Sequence, residues 1–184
     1  VEWHAAHIPH RRHAMRGYNP VVAGFEQDGF DYWAQYPHDD RSRMQAFYVA
    51  FTGMMHEAGV PLTVGTDSGV MASPHGISTI REMELLVSAG LTPMEAIQAA
   101  TVNPADVLGM RGEIACLAAG CAADFVLVNG DPRRDISLLY APAAVMRDGR
   151  WLEREDLQAL GEAGRHPSEL RTWWRLGRHM LAVR

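Results

Sequence analysis

The chain has 184 residues, of which 47% are apolar and 21% are charged, and its formal net charge at pH 7 is -5. This composition is that of a globular protein, and it excludes a disordered tail, a collagen-like repeat and a disulfide-rich scaffold. The absence of a strongly basic region argues against nucleic-acid binding. All 17 basic residues are arginine, so no lysine is available for a Schiff base or a phosphate-binding loop.

The sequence contains little information about the cellular compartment. The two cysteines, Cys116 and Cys121, do not have the C-x-x-C spacing of zinc or redox sites. No run of about 18 apolar residues is present, so we expect no membrane-spanning segment. The chain begins with Val1, which leaves open a larger protein or an upstream signal peptide, and a cytoplasmic location is favoured.

Residues 1–40 show neither a helical nor a strand period and are rich in glycine, proline and histidine, which predicts an irregular segment. Four histidines follow one another at intervals of three: His4, His7, His10 and His13. This spacing would bring imidazoles together on a helix. Because Pro9 interrupts the series, we expect a solvated end rather than a metal site.

An amphipathic helix is predicted over residues 42–58, with Gly59 as its C-terminal cap. The apolar positions recur at helical spacing and are Met44, Phe47, Tyr48, Phe51, Met54, Met55 and Ala58. We interpret the pair Met54 and Met55 as core residues. The short apolar run 60–67 that follows is typical of a strand buried on both faces of a parallel sheet.

Three further helices are predicted from their first residues. Thr79 and Glu82 have the spacing of a capping box. Thr92 precedes Pro93 as an N-cap, and Asn103 precedes Pro104 in the same way, with Gly109 ending the last helix. A strand followed by helices that cover it indicates an α/β fold.

Beyond Gly109 the pattern changes to short strands separated by turns, which predicts a small antiparallel β unit. The candidate strands are 113–115, 124–128, 143–146 and 150–152. We expect Asp124 to fix the turn into its strand, and we interpret Asp131, Arg133, Arg134 and Asp135 as turn and surface charges. The tail from Arg154 has a helical pattern, and its arginines are interpreted as a solvated face.

The strongest chemical signal is Asp67, an acid at the carboxyl end of a predicted buried strand, where barrel enzymes place catalytic groups. A carboxylate there needs a metal, a cation or hydrogen bonds; the alternative role is an Asx turn leaving the strand. His75 follows in the next loop, where it would bind substrate, a proton or a metal, or bond to the backbone. Ser68 and His75 are the candidate substrate contacts.

Taken in order, several short motifs resemble the C-terminal half of the metal-dependent amidohydrolase superfamily, particularly its imidazolonepropionase-like and dipeptidase-like branch. The resemblance covers roughly residues 42–155, and its order and spacing are more specific than any single motif. The motifs are Gly59 to Ser68 (GVPLTVGTDS), Pro74-His75-Gly76, Arg81 to Leu85 (REMEL), Ala89 to Ala96 (AGLTPMEA), Ala100 to Ala105 (ATVNPA), Val107 to Gly109, Gly120 to Asp124, Asp131-Pro132 and Val145 to Gly149 (VMRDG).

The resemblance implies an α/β fold: part of a (β/α)8 TIM barrel, namely its C-terminal strands and helices, with the C-terminal part of a small β-sandwich. The domain boundaries expected are an irregular segment 1–40, a barrel part 41–110, a sandwich segment 111–152 and a helical tail 153–184. Residues 60–67 would be the eighth strand. Asp67 would then touch a divalent metal, zinc first, and act as base and acid in hydrolysis of a C–N bond.

The departures from the family pattern are equally specific. The His-x-His motif of the first strand is absent, no lysine exists to bridge two metals, and the stretch Cys116 to Ala119 interrupts a usually short turn. A catalytic zinc needs three protein ligands, and the chain offers one or two. We therefore expect a fragment of a hydrolase that is inactive alone and is completed by the missing N-terminal half or by self-association.

Two alternatives stay open at this stage. One is a non-catalytic pseudoenzyme or partner domain that keeps the barrel packing and has lost the metal. The other is a metal-binding module that uses the amino-terminal histidines. In the complete enzyme one or two metal ions are expected, and in this chain none is required.

Overall fold

The fold is described from a computed structural model. It describes residues 38–68 and 75–165, together with Gly24, Asp31, Gln35, Trp174 and Arg178. The interpretations of the amino-terminal histidines and of most of the tail beyond residue 165 lie outside the described residues.

Helix α1, His38–Glu57, confirms that a helix lies in the predicted region. Gly59 ends it with a positive φ of 74°, and its N–H donates to the carbonyl of His56 at 2.8 Å. The expected apolar face, however, is exposed, so the interpretation of Met54 as a core residue was wrong: its side chain is 66% exposed. The exposed apolar residues of α1 are Met44, Phe47, Tyr48, Phe51 and Met54.

Another side of α1 makes the contact with the rest of the fold. Gly53 is buried, and a Cβ atom there would lie 2.6 Å from the carbonyl oxygen of Ala89, at the end of the next helix. The absence of a side chain at Gly53 therefore permits the two helices to approach closely.

Residues 60–67 are extended but form no strand, so the prediction of a paired strand is not met in the described residues. Side chains still alternate, with Leu62, Val64 and Thr66 half-buried and the residues between them exposed. The physical reason is that helices lie on one face only, while a strand needs neighbouring backbone to pair with. Val64 N–H donates instead to the carbonyl of Ala99 at 2.8 Å.

Three helices follow: α2 (Ile77–Ser88), α3 (Pro93–Ala100) and α4 (Val102–Val107). The capping box predicted for α3 is present. Thr92 Oγ1 accepts from the N–H of Glu95 at 3.2 Å, and Glu95 Oε2 accepts from the N–H of Thr92 at 2.7 Å. Hydrogen bonds from Thr92, the backbone one first, lower the pKa of Glu95.

Two predicted caps were wrong. Helix α2 begins at Ile77 after Gly76, so Thr79 lies inside the helix and Glu82 is not its capping partner. Helix α4 begins at Val102, and Asn103 lies within it. The side chains of Asn103 and Glu82 form hydrogen bonds with the extended segment instead. The Asn103 side-chain amide donates to the carbonyl of Leu62 at 2.7 Å, and the Glu82 carboxylate accepts from the N–H of Gly65.

The hydrophobic core lies between α2, α3 and the residues that follow. It consists of Met83, Leu86, Leu91, Ala96, Ala99 and Ile136. The two alanines, which are fully buried, let α3 pack closely. Leu62 and Val64 pack against this core, so one face of the extended segment is held by apolar contacts.

A short 3-10 helix, Ile136–Tyr140, joins this core to the β unit. Arg81 Nη1 donates to Glu84 Oε2 at 2.6 Å. Tyr140, the last residue of the 3-10 helix, has a pKa raised to about 12. The larger cause is burial of its hydroxyl group, and the second is the negative charge of Glu84.

The β unit is a three-stranded antiparallel sheet in the order β1 (Phe125–Leu127), β2 (Ala144–Arg147) and β3 (Arg150–Glu153). Three of the four predicted strands are thus confirmed, whereas Glu113–Ala115 contributes only an isolated bridge between Arg111 and Ile114. The β2–β3 turn has positive φ at both central residues, Asp148 and Gly149.

Charged side chains hold the turns of the β unit. Asp124 was expected to fix the turn into its own strand, but its side chain holds the β2–β3 turn instead: its carboxylate accepts from the N–H of Asp148 at 2.5 Å and pairs with Arg147. Asp131 accepts from Arg133, and this side-chain bond lowers the pKa of Asp131. Helix α5, Arg154–Arg165, follows β3 and confirms the predicted start of the helical tail.

Cys116 and Cys121 form a disulfide, which the sequence analysis did not anticipate. The bond closes a loop within the stretch that departs from the family pattern. The available signal was the pair of cysteines flanking a short loop that contains Gly120, whose φ is 96°.

None of the helices in the part of the chain that the structure describes combines the length and the apolar character needed to cross a membrane.

Candidate functional site

Asp67 lies at the end of the extended segment and is exposed. Its φ is +49°, a left-handed conformation that is uncommon for residues other than glycine but is tolerated by aspartate. By the alternation of the segment, Asp67 belongs to the face that the helices leave uncovered. Within the described residues its carboxylate forms no hydrogen bond or ion pair, so it is free to receive a ligand or a proton.

Thr66 and Ser68 flank Asp67 and are both half-buried, in contrast to Asp67 itself. Their hydroxyl oxygens lie 2.5 Å apart and share a hydrogen bond. The hydroxyl of Ser68 is thus engaged by a neighbour, and its role as a substrate contact stays a prediction.

Glu82 belongs to this site although sequence reasoning assigned it to a helix cap. From α2 its Oε1 accepts a hydrogen bond from the backbone N–H of Gly65 at 2.9 Å. Gly65 precedes Asp67 by two residues, so this bond holds the backbone next to the candidate acid. The sequence signal, an acid near the start of the helix after a strand, is also the signal of a capping residue.

His75 is exposed in the turn that leads into α2. Its carbonyl accepts from the N–H of Ile77 at 2.9 Å, which places the backbone of His75 at the start of the helix. Residues 69–74 lie outside the described part of the chain, and within that part no hydrogen bond or ion pair joins His75 to Asp67. Its role as a substrate contact stays a prediction.

A metal centre needs several converging ligands, and we tested whether the residues of this site provide them. Over residues 38–68 and 75–165, no three His, Cys, Asp or Glu side chains come together to hold one ion. Since a catalytic zinc needs three protein ligands, the described residues do not form a metal site by themselves. Asp67 is a suitable single ligand, and we derive no catalytic step through a metal.

The arrangement is chemically suited to proton transfer. An exposed carboxylate on a segment that helices hold on its other face can accept a proton from water and return it.

Comparison with known proteins shows the family of this chain. The family model described as "Amidohydrolase family" matches residues 35–152, which is more than half of the chain. The chain belongs to the amidohydrolase family. The match includes Asp67, helices α1–α4 and the three-stranded sheet except the last residue of β3, Glu153. The family resemblance predicted from the sequence motifs is thereby confirmed.

Three similar proteins illustrate the range of the match. The chain is 36% identical to imidazolonepropionase of Ralstonia nicotianae over 98 residues, which are 52% of this chain and 24% of that protein. It is 32% identical to a crystal structure of a Xaa-Pro dipeptidase with bound methionine in the active site, with a TM-score of 0.51, over 57% of this chain and 25% of that one. Bottromycin amidohydrolase, 23% identical, has a TM-score of 0.65 over 82% of this chain and 34% of that one.

These likenesses support part of a TIM-barrel-like α/β fold, the coarser form of the predicted fold class. The chain spans about a quarter of the length of the curated relatives it matches. The described residues contain one extended segment and one antiparallel sheet, and they do not form the closed parallel sheet of a barrel.

Proposed function

We propose that this chain supplies the proton-transfer carboxylate of a hydrolase that cleaves C–N bonds in amide, cyclic amide or peptide-like substrates. The observation that carries this proposal is the position of Asp67, at the end of an extended segment and on its uncovered face. Family membership supports the reaction class, since the matched relatives include an imidazolonepropionase and a Xaa-Pro dipeptidase.

In the proposed reaction Asp67 first acts as a base. Its ionised carboxylate takes one proton from a water molecule as the water oxygen forms a bond to the substrate carbonyl carbon. The protonated Asp67 then gives that proton to the leaving nitrogen as the C–N bond breaks, which regenerates the carboxylate. Ser68 and His75 would contact the substrate from the loop that follows Asp67.

We further propose that the complete site holds a divalent metal, zinc first, with Asp67 as one of its ligands. Such an ion would supply Lewis-acid activation of the attacking water and of the scissile carbonyl. The remaining ligands would come from outside the described residues, because these provide no ligand cluster of their own. On this proposal the chain alone has no turnover.

The partner we propose is the remainder of the barrel, carried by a protein segment of the same family. Two features of the described residues support it. The extended segment 60–67 lacks strand neighbours, and α1 exposes a continuous apolar stripe in which Phe47 is 63% exposed. Phe47 also stacks on Phe51 with ring centroids 6.0 Å apart, which gives the stripe a defined aromatic surface.

The catalytic proposal is tested by assaying the purified chain, with added Zn²⁺ or Mn²⁺, against dipeptides, N-acyl amino acids and cyclic amides. We expect no turnover by the unmutated chain. If turnover appears, the expectation of inactivity is wrong, and it must disappear in Asp67→Asn for the role of Asp67 to hold. Turnover that survives Asp67→Asn would contradict that role.

The partner proposal is tested separately by size-exclusion chromatography with amide exchange. We expect self-association or low protection of residues 60–67 in the isolated chain, and a lower apparent mass in Phe47→Glu. A rigid, well-protected monomer would contradict the proposal. Stable homodimers in which 60–67 are protected would instead identify a second copy as the partner.

A further inference from the structure

We infer that Glu82 is a positioning residue: by holding the backbone N–H of Gly65, it fixes the direction in which Asp67 leaves the extended segment. This inference rests on the proposed function of Asp67. It concerns a residue that the proposed reaction does not use directly.

The first step of the argument is the distribution of hydrogen bonds along the segment. Leu62 and Val64 are held by Asn103 and by the carbonyl of Ala99, at 2.7 Å and 2.8 Å. The next of these bonds joins the N–H of Gly65 to Glu82 at 2.9 Å, two residues before Asp67.

The second step is the conformational freedom of Gly65. Without a Cβ atom, glycine adopts a wide range of φ and ψ angles. If position 65 had a Cβ atom, that atom would have no neighbour within 4 Å, so packing does not restrict this residue. A rotation at Gly65 would redirect the chain that carries Asp67, and the bond to Glu82 restricts such a rotation.

The third step is the rigidity of Glu82 itself. It lies on α2 next to Met83, and both Met83 and Leu86 belong to the hydrophobic core. Glu82 as a whole is half-buried, and a hydrogen bond from a backbone N–H to a carboxylate is stronger than a bond between neutral groups. The helix thereby transfers its fixed position to the backbone of Gly65.

The turn at Asp67 has local contacts as well. The hydroxyl oxygens of Thr66 and Ser68 lie 2.5 Å apart and share a hydrogen bond across Asp67, whose φ is +49°. The bond from Gly65 to Glu82 adds a contact between this turn and α2.

The test uses NMR spectroscopy of the full chain with three variants. Glu82→Ala removes the acceptor, Glu82→Gln keeps an acceptor oxygen at the same reach, and Glu84→Ala is the matched control. Glu84 lies on the same helix and bonds to Arg81, so its loss disturbs α2 without touching the extended segment. The readouts are amide exchange at Gly65 and residual dipolar couplings of the amides of Thr66 and Asp67.

In Glu82→Ala we expect exchange at Gly65 to accelerate about tenfold or more, and the couplings of Thr66 and Asp67 to shrink through averaging. Glu82→Gln should restore most of the protection and the couplings, and Glu84→Ala should leave both unchanged. Unchanged couplings in Glu82→Ala, or an equal loss in Glu84→Ala, would overturn the inference.

A second measurement needs no variant, in case Glu82→Ala does not fold. In the unmutated chain a scalar coupling across the hydrogen bond should join the Gly65 nitrogen to the Glu82 carboxylate carbon, and its absence would overturn the inference. None of these readouts depends on hydrolysis. A failure of Asp67 as catalytic acid, measured kinetically, is thus distinguishable from a failure of Glu82 as its support.

Discussion

The contact between α1 and the end of α2 predicts that a small substitution at Gly53 destabilises the fold. In Gly53→Ala the new Cβ would lie 2.6 Å from the carbonyl oxygen of Ala89, closer than real Cβ contacts occur. The oxygen belongs to the backbone at the C-terminal cap of α2, where the N–H of Ala89 bonds to Leu85, so it does not rotate away. Such overpacking costs about 1–3 kcal/mol.

Replacing glycine by alanine inside a helix also stabilises it, by about 0.5–1 kcal/mol. We therefore expect Gly53→Ala to lower the free energy of unfolding by up to about 2.5 kcal/mol, the difference of these two effects. Gly161→Ala in α5 is the matched control, because a Cβ there meets nothing within 4 Å. It should gain the helix contribution alone and raise the free energy of unfolding.

Urea unfolding followed by circular dichroism measures both variants. The difference between the two isolates the steric contact, since the helix contribution is common to both. If both variants were stabilised to the same extent, α1 would not approach Ala89 at Gly53, and the described packing of α1 on α2 would be wrong.

Three further predictions concern single local features. Because Thr92 lowers the pKa of Glu95 below its ordinary 4.5, ionised Glu95 stabilises the fold above that pH, and this contribution is lost as the pH falls through the folded pKa. The melting temperatures of the unmutated chain and Glu95→Gln should therefore differ at pH 7 and converge in acid; a constant difference would contradict this. Asp124→Ala should lower the free energy of unfolding in urea by about 1 kcal/mol, because the β2–β3 turn loses its acceptor; no change would refute that role. Replacing Cys116 and Cys121 by serine should cost about 2 kcal/mol, as expected for closing a short loop, and a thiol reagent should find no free thiol before reduction.

Sequence reasoning succeeded where the deciding interactions are local. The capping box of Thr92 and Glu95 spans three residues and was predicted correctly. The β2–β3 turn was likewise predicted, since Asp148 and Gly149 suit positive φ. The position of Asp67 at the end of an extended segment followed from the apolar run before it, although its left-handed φ did not.

Sequence reasoning failed where a polar side chain has both a local and a distant hydrogen-bond partner available. Glu82 and Asn103 each fit a helix cap by spacing, yet they bond to backbone 17 and 41 residues away. Spacing along the chain contains no information about such tertiary contacts. The same limit applies to α1, because helical periodicity identifies an apolar face and does not identify what covers it.

The central claim, that Asp67 is the proton-transfer carboxylate, is tested most directly in a chimera. The matched segment of imidazolonepropionase from Ralstonia nicotianae would be replaced by the corresponding residues of this chain, which restores a complete barrel around Asp67. The matched control for Asp67→Asn is Asp148→Asn, an exposed aspartate that also has a positive φ, 51° compared with 49°. Asparagine tolerates that conformation, so both variants keep their backbone.

We predict that Asp67→Asn lowers kcat of the chimera by at least about a hundredfold, the usual contribution of a general acid–base group, while Asp148→Asn leaves kcat unchanged. A folded, active chimera whose kcat is the same with aspartate or asparagine at position 67 would contradict the account.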